Sequence, residues 1–129
     1  MEEQQKRGLV IEDRQNVRQL VKRVVLARLP TIAFTIPATS EELGVVLASE
    51  ELFDVVLLDG EYDEWQQNYT YRDILDRLLA RVLPDAVVVC ICGKPSMAKD
   101  IQEDVRSRGR RSVYLGKPFQ LNELLQAIG

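Results

Sequence analysis

Val55-Val56-Leu57-Leu58-Asp59-Gly60 joins an unbroken apolar run to a carboxylate and a glycine. Four consecutive apolar residues suit a strand buried on both faces, as in a parallel sheet covered by helices, better than the in-out alternation of a half-exposed strand. Three further runs repeat the pattern, at Leu9-Val10-Ile11, at Ala86 through Cys92 and at Val113-Tyr114-Leu115, with a weaker one at Ile32 to Ile36. Between the runs the period changes. Val17, Leu20, Val21, Val24 and Val25 follow helical spacing, as do Ile74, Leu75, Leu78, Leu79, Val82 and Leu83, and then Leu121, Leu124, Leu125 and Ile128. Each set predicts one apolar stripe laid on a sheet. Weaker helices fit Glu41 to Glu50, entered through a Thr39/Glu42 capping box, and Met97 to Ser107, entered at Ser96 and stopped by Gly109. Five strands alternating with five helices predict a three-layer, doubly wound α/β fold with one open parallel sheet and right-handed crossovers. No boundary or repeat divides residues 1–129, which read as one domain with a polar extension at 1–7.

Composition narrows the chemistry. The 129 residues are 46% hydrophobic and 29% charged, close to globular averages, and carry a net charge of −3. That balance builds in no long-range attraction to nucleic acid or to an anionic membrane. The start of the chain, Met1 to Arg7, is polar, and the longest apolar run is far shorter than the ~20 residues a membrane-spanning helix needs. A soluble cytoplasmic protein without nucleic-acid or membrane partners is expected. Cys90 and Cys92 lie two apart on one strand, unsuited to a relaxed disulfide, and are expected as reduced core residues. Histidine is absent, which removes the usual neutral-pH base and the commonest zinc ligand.

Parallel strands bring their carboxyl ends to one edge, where open α/β sheets place ligands. Here the first strand ends in Glu12-Asp13, the third in Asp59, the fourth in Cys92-Gly93 and the fifth in Gly116-Lys117-Pro118. Crowded carboxylates are costly to ionise together unless a cation joins them, and Mg²⁺ with its preference for oxygen is the natural one. Asp59 could then serve as a nucleophile toward a phosphoryl group, with Lys117 pairing first with Asp59 and then with a phosphoryl oxygen. The acidic, aromatic segment from Gly60 to about Thr70 leaves the same edge. Its Tyr62 and Trp65 either form a lid over the acidic edge or anchor an overlong loop.

At these residues the chain resembles the receiver domains of two-component response regulators. The resemblance runs from Leu9 to Ile128 and rests on Glu12-Asp13, Asp59 and Lys117-Pro118-Phe119 in the right βα alternation. It implies a flavodoxin-like strand order 2-1-3-4-5, with Asp59 as phosphoacceptor. It also implies Mg²⁺ held by Glu12, Asp13, Asp59 and the backbone carbonyl of Glu61, Lys117 on the phosphoryl group, and Tyr114 as the switch aromatic. The family usually has Thr or Ser where Cys92 stands, and a Met-Pro pair is missing after the phosphoacceptor. The partners implied are a sensor histidine kinase or phosphotransfer protein, and a downstream protein on the surface of the fourth helix, fifth strand and fifth helix. With no second domain after Gly129, output by protein binding is expected; the short final helix equally suits a fragment of a longer protein. Arg106, Arg108, Arg110 and Arg111, near that surface, are either a solvated turn or a site for an acidic partner. The chain is not expected to be an enzyme beyond modifying itself. A phosphorylation-independent interaction module is the alternative. A Mg²⁺-dependent phosphohydrolase is a third reading, since Asp59-Gly60-Glu61 superficially resembles the haloacid-dehalogenase motif, but Tyr62 and Asp63 do not fit it.

Overall fold

A computed structural model describes residues 6–28, 31–116 and 120–128. The elements are β1 (Lys6–Ile11), α1 (Gln15–Arg28), β2 (Ile32–Thr35), α2 (Ser40–Ala48), β3 (Phe53–Leu58), a 3₁₀ turn (Tyr71–Asp73), α3 (Leu75–Leu79), β4 (Val82–Cys92), α4 (Pro95–Ser107), β5 (Arg111–Gly116) and α5 (Leu121–Ile128). Every strand pairing is parallel and the order is β2-β1-β3-β4-β5. The apolar runs of β1, β3 and β4 are double-faced strands, as expected, whereas the run of β5 is not, with Val113 and Tyr114 exposed, and β2 is only partly buried; both are edge strands. Leu9, Ile11, Val56, Leu58, Val88 and Cys90 meet α2, α3 and α4 through Leu43, Leu78 and Ile101. Their neighbours Val10, Val55, Leu57, Val89 and Ile91 meet α1 and α5 through Val21 and Leu124. Among the described residues, no helix is long and apolar enough to cross a membrane.

Four further expectations are corrected. Val82 and Leu83, assigned to the third helix by spacing, belong to β4; α3 is only five residues long. The helical spacing misled because Val82 points into the same apolar cluster as Leu75, Leu78 and Leu79. The chain turns from helix to strand at Arg81, whose carbonyl accepts from the Phe53 amide at 2.8 Å. Beyond it the β3–β4 register breaks between Phe53 and Val55, and this irregular stretch accommodates Pro84, which has no amide hydrogen to offer a ladder. The second correction is at α4, which begins with Pro95 in its first turn, where its fixed φ is favourable, and not at Ser96. Gly109, at φ 78°, stops this helix as expected. The third concerns Leu20, which leaves the α1 stripe and is 56% exposed. The fourth is the α2 capping box, which is only half formed. Thr39 accepts from the Glu42 amide at 3.1 Å, but the Glu42 carboxylate turns to the Ala38 amide at 2.8 Å.

The four arginines around the entry to β5 are bound within the molecule. Arg106, Arg110 and Arg111 donate to the carbonyls of Ser112, Val82 and Asp85 at 2.8, 3.3 and 2.8 Å, and Arg108 pairs with Asp76. They staple the ends of α4, β4 and β5, which favours the turn over a partner site.

A five-residue helix has no stability of its own and depends on its buried side. Leu78 is fully buried. Leu78→Ala should lower stability by about 2–5 kcal/mol in urea unfolding.

Candidate functional site

β1 and β3 are neighbours in register, Ile11 opposite Leu58, so the residues that follow each strand emerge side by side. The Asp59 amide extends the ladder by one bond to the Ile11 carbonyl at 3.0 Å. From α1, the Arg18 guanidinium donates to the carbonyls of Glu12 and Asp13 at 3.1 and 2.7 Å and fixes the turn that presents them. The result is one cluster. Carboxylate oxygens of Glu12, Asp13 and Asp59 lie within 4.8 Å of one another, and all three residues are buried.

Among the described residues, each carboxylate takes a backbone amide. Arg14 donates to Glu12 Oε1 at 3.2 Å, Glu64 to Asp13 Oδ2 at 2.8 Å and Gly60 to Asp59 Oδ1 at 2.8 Å. Asp13 Oδ1 is buried without a hydrogen-bond partner among the described residues. An all-oxygen donor set with an orphaned carboxylate oxygen fits a hard divalent cation such as Mg²⁺. The cluster opens into a cleft of about 240 Å³ lined also by Arg14, Glu61, Cys92 and Lys94.

The remaining expected residues divide. The Glu61 side chain borders the cleft and pairs with Lys94 at 2.7 Å, linking the segment after β3 to the turn before α4. The hydrogen bond and charge of Glu61 raise the Lys94 ammonium above its ordinary pKa. Cys92 reaches the cleft, but its Sγ accepts from the Lys94 amide at 3.4 Å and lies 3.6 Å from the Lys94 carbonyl. The Tyr114 hydroxyl donates to the Cys92 carbonyl at 3.2 Å, which places the expected switch aromatic against the end of β4. Lys117, with Pro118 and Phe119, lies outside the described residues.

Tyr62 and Trp65 anchor the segment after β3, which also borders the acidic cleft through Glu61, Asp63 and Glu64. Tyr62 is wholly buried and its hydroxyl donates to the Asp59 carbonyl. Its ring packs against Trp65 and Tyr69 at centroid distances of 5.5 and 5.6 Å, while the Trp65 indole donates to the Ala38 carbonyl at 3.0 Å. Gly60 lets the start of this segment lie close against α4, since a Cβ there would collide with the Met97 side chain. Sequence reasoning missed Arg14, Arg18 and Lys94. Lys94 had a signal, two residues beyond Cys92 at a strand end, whereas Arg18 acts on backbone carbonyls and leaves no pattern in the sequence.

No protein-family model matches the chain, and no curated protein sequence does. Solved structures do. A response regulator receiver protein from Burkholderia phymatum superposes with a TM-score of 0.63 at 23% identity, covering 94% of this chain and 90% of its own. The pilus assembly protein CpaE from Caulobacter crescentus gives 0.67 at 16% identity, covering 97% and 92%. The chain has a receiver-like fold. An adenylate cyclase structure from Rhodopirellula baltica shares it too, at 0.72 and 17% identity over 97% of this chain and 85% of that one. At these identities the likeness is one of fold, and the receiver-like acidic cluster stands on its own geometry.

Burial first, and then the charges of Asp59 and Glu12, hold the Tyr62 phenol well above the ordinary tyrosine value of 10.0. Burial and the carboxylate of Asp104, 2.6 Å away, raise Tyr71 as well. A raised folded-state pKa contributes stability that is present below the unfolded value and lost as pH climbs through the folded one. Stability should therefore fall as pH rises above about 10. Tyr62→Phe should lose about 1 kcal/mol at neutral pH and show a shallower alkaline decline, read by urea unfolding at each pH.

Proposed function

We propose that this chain is a phosphoacceptor receiver, modified on Asp59, whose modified and unmodified forms differ in protein binding. The observation that carries the reading is the buried Glu12–Asp13–Asp59 cluster with the orphaned Asp13 Oδ1. An Asp59 carboxylate oxygen attacks the phosphorus of a donor, the new O–P bond forms, and the bond from phosphorus to the donor breaks with its electron pair leaving on the donor atom, an imidazole nitrogen for a phosphohistidine or a carboxylate oxygen for acetyl phosphate. Glu12, Asp13 and Asp59, with the Glu61 carbonyl as a further oxygen, would hold Mg²⁺, which would supply neutralising charge for the phosphoryl oxygens. Arg18 keeps the two acidic side chains of the first turn presented, and the Gly60 amide fixes one oxygen of Asp59, which lines the cleft. Lys117 is assigned to a phosphoryl oxygen. The reaction is stoichiometric self-modification, with no turnover of a separate substrate.

The donor in this reading is a cytoplasmic sensor histidine kinase or phosphotransfer protein. The output surface is that of α4, β5 and α5, where Val113 and Tyr114 are 38% and 37% exposed. A second reading, a phosphorylation-independent interaction module, draws support from Cys92, whose thiol is engaged with the Lys94 backbone where the family has a hydroxyl.

Incubation with acetyl phosphate and Mg²⁺ should give a single phosphoryl adduct by intact mass, absent without the metal and absent in Asp59→Asn. No adduct, with the fold intact by circular dichroism, would favour the second reading. Mg²⁺ alone should raise the melting temperature of the unmodified protein, because a ligand of the folded state stabilises it by mass action, and Asp13→Asn should abolish most of that rise.

A further inference from the structure

Of the two edges of the sheet, the one at β2 is unguarded. β2 is paired on one side only, with β1. In a parallel ladder each residue turns its N–H and C=O to the same side and successive residues alternate, so every other residue of β2 offers both groups outward. Soluble proteins usually blunt such an edge with charged residues or proline, and Ile32-Ala33-Phe34-Thr35 has neither. The opposite edge, β5, carries Arg111.

The side chains of β2 alternate between two grooves of unlike charge. Ile32 and Phe34 turn to the cluster under α1. On that face Phe34, Ile36 and Ala38 floor a groove of about 360 Å³ bordered by Arg18 and Lys22. Ala33 and Thr35 line a depression on the α2 face, bordered by Glu50, Glu51 and Asp54, with Lys6 and Arg7 at its β1 end. The two rims follow a segregation of charge along the chain. Between residues 14 and 28 the only charged side chains are Arg14, Arg18, Lys22, Arg23 and Arg28, whereas residues 29–71 contain nine carboxylates and no lysine or arginine. Arg18, Lys22, Glu50 and Glu51 take part in none of the three ion pairs among the described residues.

We propose that β2 takes up an extended segment of a partner protein in which acidic residues alternate with lysine or arginine. A strand laid on this edge, in either direction, places successive side chains on opposite faces of the sheet, in step with the neighbour it pairs with. Residues opposite Phe34 and Ile36 fall toward Arg18 and Lys22 and are acidic. Those opposite Ala33 and Thr35 fall toward Glu50 and Glu51 and are basic. Main-chain bonds along the edge give affinity, and the two grooves select the sequence. A segment of uniform charge meets a like-charged rim on one face in every register, and a one-residue slip of an alternating segment turns each side chain to the wrong rim. β2 has no charged residue of its own, so a second copy paired through this edge would leave both rims unanswered. None of this depends on the chemistry assigned to Asp59.

The test is titration of the full chain with a capped peptide of about eight residues in which glutamate and lysine alternate strictly, against a peptide of the same composition with the two residue types in separate blocks. Calorimetry gives the affinity, and amide exchange resolved by residue gives the place of binding. The alternating peptide should bind at least about tenfold tighter than the block peptide, since it alone offers each rim an unlike partner, and should weaken between roughly 20 mM and 0.5 M salt. The outward-facing amides of β2 should exchange more slowly in the complex. Lys22→Glu should weaken binding of the alternating peptide but not of one whose glutamates are replaced by glutamine. Glu50→Lys with Glu51→Lys should weaken it too, but not a peptide whose lysines are replaced by glutamine. All three residues are exposed, and circular dichroism should show both variants folded. Equal binding of the alternating and block peptides, no binding at roughly 1 mM peptide, or slowed exchange away from β2 would overturn the proposal. So would slowed exchange of β2 that grows with protein concentration in the absence of peptide, the mark of a second copy on this edge.

Discussion

Like charges held close in a buried space set the terms for everything around them. Glu12, Asp13 and Asp59 bring carboxylate oxygens within 4.8 Å of one another at the carboxyl edge of the sheet. In a partly desolvated site their repulsion is far stronger than in water. The surrounding chain answers with dipoles. Among the described residues each carboxylate receives a backbone amide, and α1 contributes a guanidinium bound to the carbonyls of the same turn. One oxygen of Asp13 is buried without a hydrogen-bond partner among the described residues, as befits a donor set suited to a cation.

The same edge is tied to the rest of the molecule by the segment after β3. Tyr62 holds the Asp59 carbonyl from within the core, and Gly60 lies close against α4 at Met97. Further along, Tyr71 and Arg72 reach Asp104 and Asp100 of α4 at 2.6 and 3.4 Å, and Lys94 at the start of that helix returns to Glu61. Asp59 and α4 are therefore joined through packed and hydrogen-bonded neighbours, so a change in charge at Asp59 acts on groups already in contact with α4.

Much of this was legible in the sequence, because runs such as Val55 to Leu58 admit few placements other than a doubly covered parallel strand, and parallel strands gather their carboxyl ends. The convergence of Glu12, Asp13 and Asp59 follows from that alone. What failed was local. Val82 and Leu83 satisfied a helical period by facing the same cluster as α3, and only the bond from Phe53 to Arg81 reveals that the helix has already ended. Tyr62 read equally well as lid or anchor, since burial of a phenol depends on a carbonyl acceptor the sequence does not display. Arg18 was invisible for the same reason.

The segment between β3 and α3 has a further consequence for how such chains can vary. Its neck is closed by the antiparallel Glu61–Thr70 bridge, made of two bonds, from the Tyr71 amide to the Gly60 carbonyl at 3.0 Å and from the Tyr62 amide to the Tyr69 carbonyl at 2.9 Å. Inside the neck, the Tyr62 and Tyr69 rings meet and Trp65 folds back on Tyr62. This is an Ω-loop in the physical sense, with adjoining ends and a filling of its own side chains. Because the neck sets the distance from strand to helix, residues at the far end, around Gln66 to Asn68, can be gained or lost at little entropic cost without moving Asp59. Length variation among relatives is then expected at the loop tip, while the aromatic filling and the neck stay matched to each other.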